Sequence, residues 1–439
     1  MMNKDKLKKK VIEAIDNHAE DIIEIGDHIW RNPELGYKEY KTAEFVESKY
    51  KEYGWTYENK IALTGSKAYL KKPGPRPTVG INGDLDAVRT LDHPECDPLT
   101  GAVHACGHCA QIASMLGAGI GLTASGVIDE LDGNVTLQAV PAEEYLEIGW
   151  RNTLRGKGTI EYFGGKQEFI RLGKYDDVDI IFQSHTATEP YLKGKLGVGG
   201  TLNGFIGKMV RYIGLESHAG AAPHQGINAL NAALLGLMGI HAQRETFKEE
   251  DTIRVHPIIT KGGEITNNVP ADVRIETYVR GKTIDAIVDA NKKVNRALQA
   301  GADAVGAKVE INDVPGYMPW RQNPGLVELL QRNCELLVGA ENVVERGHAT
   351  ASNDGGDISG MIPAASFMMG GASGVGHGRD FTISDKEFSY VVPSKVFALT
   401  CVDLLYDNAT IAKKIIEGYE PSIPRKPDEY NKFWHKIID

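Results

Sequence analysis

Cysteine is scarce in this chain: five in 439 residues, at positions 96, 106, 109, 334 and 401. An odd number scattered through a long chain does not make the disulfide framework of a small secreted domain, and it favours a reducing compartment. Basic charge is also short, with 49 Lys and Arg against 59 Asp and Glu, a formal net charge of −10 (49 minus 59). That balance offers no general basic field for nucleic acid or anionic lipid, so neither is expected as a primary partner. The N-terminal thirty residues carry charges but no apolar core of signal-peptide length, and no later stretch approaches the ~18 uninterrupted apolar residues of a membrane span. A soluble, cytoplasmic protein without a membrane partner is the expectation. Gly-Gly pairs recur, but none belongs to a Gly-Lys-Ser/Thr loop between strand and helix, so nucleotide binding is not expected.

What is present is enough for a substantial core: 42% hydrophobic residues over a length that suggests roughly two to three domains. Residues 5–30 place Leu7, Val11, Ile12, Ile15, Ile22, Ile23, Ile25 and Ile29 at helical spacing, and Asn32-Pro33 ends the pattern, which predicts one amphipathic opening helix. Near-continuous apolar runs then alternate with small-residue helical stretches, at residues 78–88, 134–144 and 179–187, with a fourth such run at 364–381. This alternation predicts an α/β fold whose mixed, largely parallel sheet is buried between flanking helices. Each run becomes polar at its C-terminal end: Asp84 and Asp86, Glu143 and Glu144, His185, His377. Open parallel sheets bind ligands beyond the carboxyl ends of their strands, so these four ends are expected to converge on one crevice.

Residues 203–315 follow a different order, β-α-β-β-α-β, that of a split ferredoxin-like unit. A strand of the first type follows it, so it is read as an insertion. The expected domains are 1–202 with 316–439, and 203–315. The tail has three prolines between 421 and 428 with aromatics beyond, which predicts an extended surface strap. The lysines between Lys4 and Lys10 read as the solvated face of the first helix.

The densest chemical cluster is Val103-His-Ala-Cys-Gly-His-Cys109, just before a small-residue helix. A thiolate at Cys106 and an imidazole at His108 can both reach one ion, and Gly107 between them permits the tight backbone. Cys106 and Cys109 also form a C-x-x-C pair, which fits a redox pair or a structural zinc, although the remaining cysteines supply no second pair of soft ligands nearby. Glu143 and Glu144 close an apolar strand, where an uncompensated carboxylate is costly. One carboxylate on a metal and its neighbour shuttling protons explains both. With His185 and His377 at two further strand ends, the set points to a shared metal centre.

On these residues the chain resembles the co-catalytic dinuclear metallohydrolases that include carboxypeptidase G, aminoacylase, the indoleacetyl-amino-acid hydrolases and the aminobenzoyl-glutamate hydrolases, the last being nearest. The resemblance runs in order through Gly83-Asp-Leu-Asp-Ala87, His104-Ala-Cys-Gly-His108, Pro141-Ala-Glu-Glu144, His185, Ser217-His-Ala-Gly-Ala-Ala-Pro223, Gly262-Gly, Asn267-Asn-Val-Pro270, Arg280, Ser352-Asn-Asp-Gly-Gly-Asp-Ile-Ser359 and His377. It implies that Cys106, His108, Glu144, His185 and His377 bind two divalent ions, Zn or Mn, with Glu143 as general base and Asp86 fixing a ligand imidazole from behind. It further implies that the insertion is a lid through which the protein forms a homodimer. The lid would bring His218, Asn267 and Arg280 to the substrate, with His218 reaching from the partner's lid. Cys109 and Gln111 stand where related chains with a Cys ligand carry Asp and His, and His104 is the alternative to His185 as a ligand.

The implied reaction is hydrolysis of the amide bond of an N-acyl or N-aroyl amino acid of the aminobenzoyl-glutamate kind, with Arg280 selecting a free carboxylate. A dipeptidase or carboxypeptidase of the same family, acting on a short peptide, is the second enzyme reading. A non-catalytic binding subunit on the same scaffold is the third.

Overall fold

Four of the apolar runs become parallel neighbours. In the computed structural model, which describes residues 3–74, 76–188 and 192–438, the strands Asn134–Val140, Thr78–Asp84, Ile180–Thr188 and Ala364–Ser373 lie side by side in that order. All three pairings are parallel. The first two strands are buried along their whole length, as sheets covered on both faces require. Antiparallel strands Thr56–Ile61 and Gly65–Tyr69 extend one edge, and Leu196–Leu202 with Val343–Ala349 extend the other. From Thr78–Asp84 the chain moves first to one neighbour, Asn134–Val140, and then across to the other, Ile180–Thr188. That reversal opens a crevice at the strands' carboxyl ends.

The helix His108–Ala124 packs against this sheet and is buried nearly throughout, because its glycines let neighbours approach closely. A Cβ at Gly119 would lie 2.7 Å from the Trp55 ring. A second core helix, Glu387–Leu405, opens with a π-helical turn at Glu387–Val391. By length and composition it is apolar enough to cross a membrane, a feature that counting uninterrupted apolar residues overlooks, but 89% of it is buried within the fold.

The chain divides into two compact units. The first holds Met1–Thr201, Arg321–Gly347 and Asp357–Tyr430, and the second holds Leu202–Trp320, His348–Gly356 and the stretch from Asn431 onward. The second unit therefore takes in short segments outside the expected 203–315. Its sheet runs Arg254–Val255, Asp272–Gly281, Gly204–Ile213, Lys308–Pro315, all antiparallel, with Ile258–Lys261 also on Asp272–Gly281. Helices Ala229–Gln243 and Ile284–Asp303 bury their small faces on it around Ala232, Ala233, Val294 and Leu298. This is the strand order of a ferredoxin-like unit.

Three local expectations change. The opening helix is two, Lys4–Asn17 and Ala19–Arg31, because His18 leaves helical geometry at φ −108°, ψ 15°. The tail is not an extended strap: Pro427–Ile438 is a helix. Its Tyr430 and Trp434, one turn apart, are buried, and the Tyr430 hydroxyl donates to Asp357 Oδ1 at 2.7 Å. The N-terminal lysines are not all solvated, since Lys8 Nζ donates to Asn333 Oδ1 at 2.8 Å and to Asp403 Oδ2 at 2.6 Å.

Candidate metal centre

The loop after Val103 turns sharply into the buried helix. Gly107 takes φ +78° and caps the helix N-terminus, and a Cβ there would overlap Thr186 Oγ1. The position is closed to other residues by backbone and space together. The turn sets Cys106 and His108 on one side, next to His185 near the end of Ile180–Thr188. Cys106 Sγ and His185 Nε2 are 3.3 Å apart, and the His108 and His185 rings meet edge to face at 5.9 Å. The Thr186 hydroxyl donates to the Cys106 carbonyl at 3.0 Å and locks the two segments together.

Glu143 and Glu144 lie in a loop beyond Asn134–Val140, entered through Ala142 at φ +54°. A left-handed alanine costs roughly 1–2 kcal/mol and needs support from its surroundings. Asp86 supplies part of it. This fully buried carboxylate accepts the backbone N–H of Glu143 at 3.1 Å and of Glu144 at 2.9 Å, while the Asp86 backbone carbonyl accepts His108 Nδ1–H at 2.8 Å. Protonation of Nδ1 turns the lone pair of His108 Nε2 towards the crevice. Among the described residues that atom is buried and has no hydrogen-bond partner. His377 reaches in from the turn after Ala364–Ser373, its N–H bonded to the Ala105 carbonyl at 2.8 Å and its Nε2 3.2 Å from Glu144 Oε1.

Three overlapping sets of donor atoms result, each within 4.8 Å of one another: Cys106, His108 and His185; Cys106, Glu144 and His377; His108, Glu143 and Glu144. The first two sets share the Cys106 sulfur. Burial and the Glu144 carboxylate push the Cys106 thiol up, but the neighbouring His185 and His108 outweigh them and hold it at about 6. Burial also opposes the charged form of Glu144, yet its bond to His377 holds it down to about 2. Bonds to Cys106 and Glu144 push His377 up to about 11. A thiolate, a carboxylate and three imidazoles, one of them with an orphaned ring nitrogen, fit divalent cations.

Cys109 points into the core, 4.0 Å from the Tyr390 hydroxyl, where burial pushes its thiol up to about 12. Gln111 accepts the Asp84 N–H at 3.2 Å, and Asp84 is ion-paired with buried Lys166. His104 is fully buried beside the cluster but belongs to none of the three donor sets. In the second unit, the segments of His218 and Asn267 are bonded together, Ala219 N–H to the Asn267 carbonyl at 2.8 Å. His218 Nδ1 accepts the N–H groups of Gly220 and Ala221, both at 3.1 Å. Arg280 lies on Asp272–Gly281 with its guanidinium over the rings of Phe205 and Tyr278.

Sequence reasoning missed Glu39. This buried carboxyl accepts the Ala142 N–H at 2.8 Å and the Thr64 hydroxyl at 2.6 Å, and burial, aided by the Asp86 charge, pushes it up to about 8. No local pattern announces it, because its partner is a backbone amide far along the chain. Thr186 was missed as well, although its place directly after His185 is a usable signal.

Residues 80–398 match the family model of peptidase family M20/M25/M40. The chain is 27% identical to the Xaa-Arg dipeptidase of Mus musculus over 425 residues, covering 92% of this chain and 90% of that protein. It is also 27% identical to the N-acyl-L-amino acid amidohydrolase of Geobacillus stearothermophilus over 326 residues, 71% of this chain and 80% of that one. Among solved structures, the aminobenzoyl-glutamate utilization protein of Klebsiella pneumoniae superposes with a TM-score of 0.67 at 18% identity, covering 90% of this chain and 98% of that chain. A dinuclear metal-binding peptidase of Bacillus subtilis gives 0.66 at 21%, covering 89% and 99%. At such identities these two structures speak for the fold. The family match spans well over half of the sequence and contains the whole cluster from Asp86 to His377, and on that evidence the chain belongs to peptidase family M20/M25/M40 and is a hydrolase.

Proposed function

We propose that the protein is a metal-dependent amidohydrolase that cleaves the amide bond of N-acyl or N-aroyl amino acids with free carboxylates. The observation that carries the reading is the pair of donor sets sharing the Cys106 sulfur, with the Glu143 carboxylate beside them, Oε2 lying 3.6 Å from His108 Nε2. Cys106, His108 and His185 would hold one ion, and Cys106, Glu144 and His377 a second. Bound divalent ions supply Lewis acidity and a water acidic enough to ionise near neutral pH.

The chain's own groups do the rest. Glu143, oriented through its backbone bond to Asp86, takes the proton of the attacking water and later delivers it to the leaving nitrogen. His218, whose Nδ1 accepts two backbone N–H groups, carries its proton on Nε2 when neutral and is a donor suited to an oxyanion. Arg280 offers a planar fork suited to the substrate carboxylate, and Asn267 a further polar contact on the lid. The reading includes a homodimer formed through the lid and a reducing, cytoplasmic setting, the latter supported by five free cysteines.

A dipeptidase activity is the second reading, favoured by the long match to the Xaa-Arg dipeptidase of Mus musculus. Purified protein supplied with Mn²⁺ or Zn²⁺ is to be tested on N-acyl amino acids, N-aroyl glutamates and Xaa-Arg dipeptides, with Glu143→Gln as control. Cleavage of acyl substrates by the parent and none by the variant supports the proposal. Cleavage confined to dipeptides selects the second reading, and stoichiometric metal without any cleavage makes the protein a binding subunit.

A further inference from the structure

The loop from Glu34 to Glu39 touches both segments that Asp86 ties together. On one side the Ala87 N–H donates to the Glu34 carbonyl at 2.8 Å, with Leu35 and Ala87 forming a parallel bridge. On the other, Glu39 Oε1 accepts the Ala142 N–H at 2.8 Å. Glu39 is itself tethered by the Thr64 hydroxyl and is fully buried. Burying a carboxyl beside another buried acid, Asp86, is costly, and an apolar side chain would fill the space more cheaply. The group has a specific task that offsets this cost: Ala142 stands at φ +54°, and the residues that leave this turn are Glu143 and Glu144. Without an acceptor its buried N–H is orphaned, and an extended conformation at Ala142 becomes the easier one.

We propose that Glu39 is a positioning residue of the hydrolytic site: by accepting the Ala142 N–H it fixes the left-handed turn that aims Glu143 and Glu144 at Cys106 and His108. The inference rests on the metal-centre reading above and deepens it. Hydrogen-bond acceptance is the property required, so glutamine, whose amide oxygen also accepts, replaces Glu39, whereas alanine does not.

The test is titration of metal-free protein with Co²⁺, following the thiolate-to-cobalt absorption, together with kcat and KM of the Mn²⁺-loaded enzyme. Glu39→Ala is expected to weaken Co²⁺ binding at least tenfold and to lower kcat at least tenfold, with KM within about twofold. Glu39→Gln should stay within about threefold of the parent in every measure. Thr64→Val, which removes only the tether of Glu39, should weaken Co²⁺ binding a few-fold, and it carries the test with Glu39→Gln if Glu39→Ala does not fold. A Glu39→Ala or Thr64→Val protein that binds Co²⁺ like the parent overturns the inference, as does a Gln variant as impaired as Ala. A parent protein with no thiolate-to-cobalt absorption overturns the metal-centre reading itself, which separates the two failures.

Discussion

Asp86 and Glu144 are joined by a bond of 2.9 Å in which the Glu144 backbone N–H donates to Asp86 Oδ2. The same carboxylate accepts the Glu143 N–H, and the Asp86 carbonyl orients His108, so one buried residue sets three members of the cluster. Replacing Asp86 by Ala removes the acceptor of two backbone amides, and outer partners of metal ligands typically govern ~10–100-fold in metal affinity. Asp86→Ala should therefore lose Zn²⁺ to a competing chelator ~10–100-fold more readily than the parent. Unchanged affinity would mean that Asp86 serves the fold alone.

The two cysteines of the C-x-x-C sequence should behave differently. Cys106 Sγ belongs to two donor sets, whereas Cys109 is buried against Tyr390 as a neutral thiol. Cys106→Ser should lose most of the bound metal, and Cys109→Ser should keep it, by elemental analysis after dialysis. Equal losses would restore a C-x-x-C metal site.

Acid should destabilise the metal-free protein through the Glu144–His377 pair. Glu144 is held down from 4.5 to about 2, so its contribution is complete above about 4.5 and is lost as pH falls towards 2. His377 is raised from 6.5 to about 11, so its contribution is complete below about 6.5 and is lost as pH rises towards 11. A series of Tm measurements on metal-free protein should show this contribution at its maximum between about 4.5 and 6.5, and Glu144→Gln should flatten the acid flank and only reduce the alkaline one, where the bond to Cys106 also raises His377. Identical profiles for parent and variant would refute the pairing.

The second unit leaves Leu234, Leu235 and Met238 exposed on Ala229–Gln243, and Ile258 and Ile259 exposed on a strand at the sheet edge. These faces support the proposed homodimer. Sedimentation should give a dimer for the parent and a shift towards monomer for Met238→Glu combined with Ile258→Lys. A monomeric parent would exclude it.

The sheet was legible because it is written in a local code: apolar runs of strand length, each ending in polar residues, separated by helices rich in small residues. The cluster was partly legible for the same reason, since Asp86, Glu143, Glu144 and His185 all stand at the ends of such runs. Glu39 was not, because the Ala142 amide that it holds belongs to a distant segment and amides leave no mark in side-chain patterns. His18 looked like any polar residue of an amphipathic helix, although the chain breaks there. The prolines between 421 and 428 hid the one-turn spacing of Tyr430 and Trp434 that forms the last helix.

The most direct measurement is an anomalous-difference map of crystals grown with Zn²⁺ or Mn²⁺. Two peaks are expected, one bonded to Cys106, His108 and His185 and the other to Cys106, Glu144 and His377. A map with no peak at these residues, or with metal bound only at other positions, would contradict the proposed hydrolytic centre.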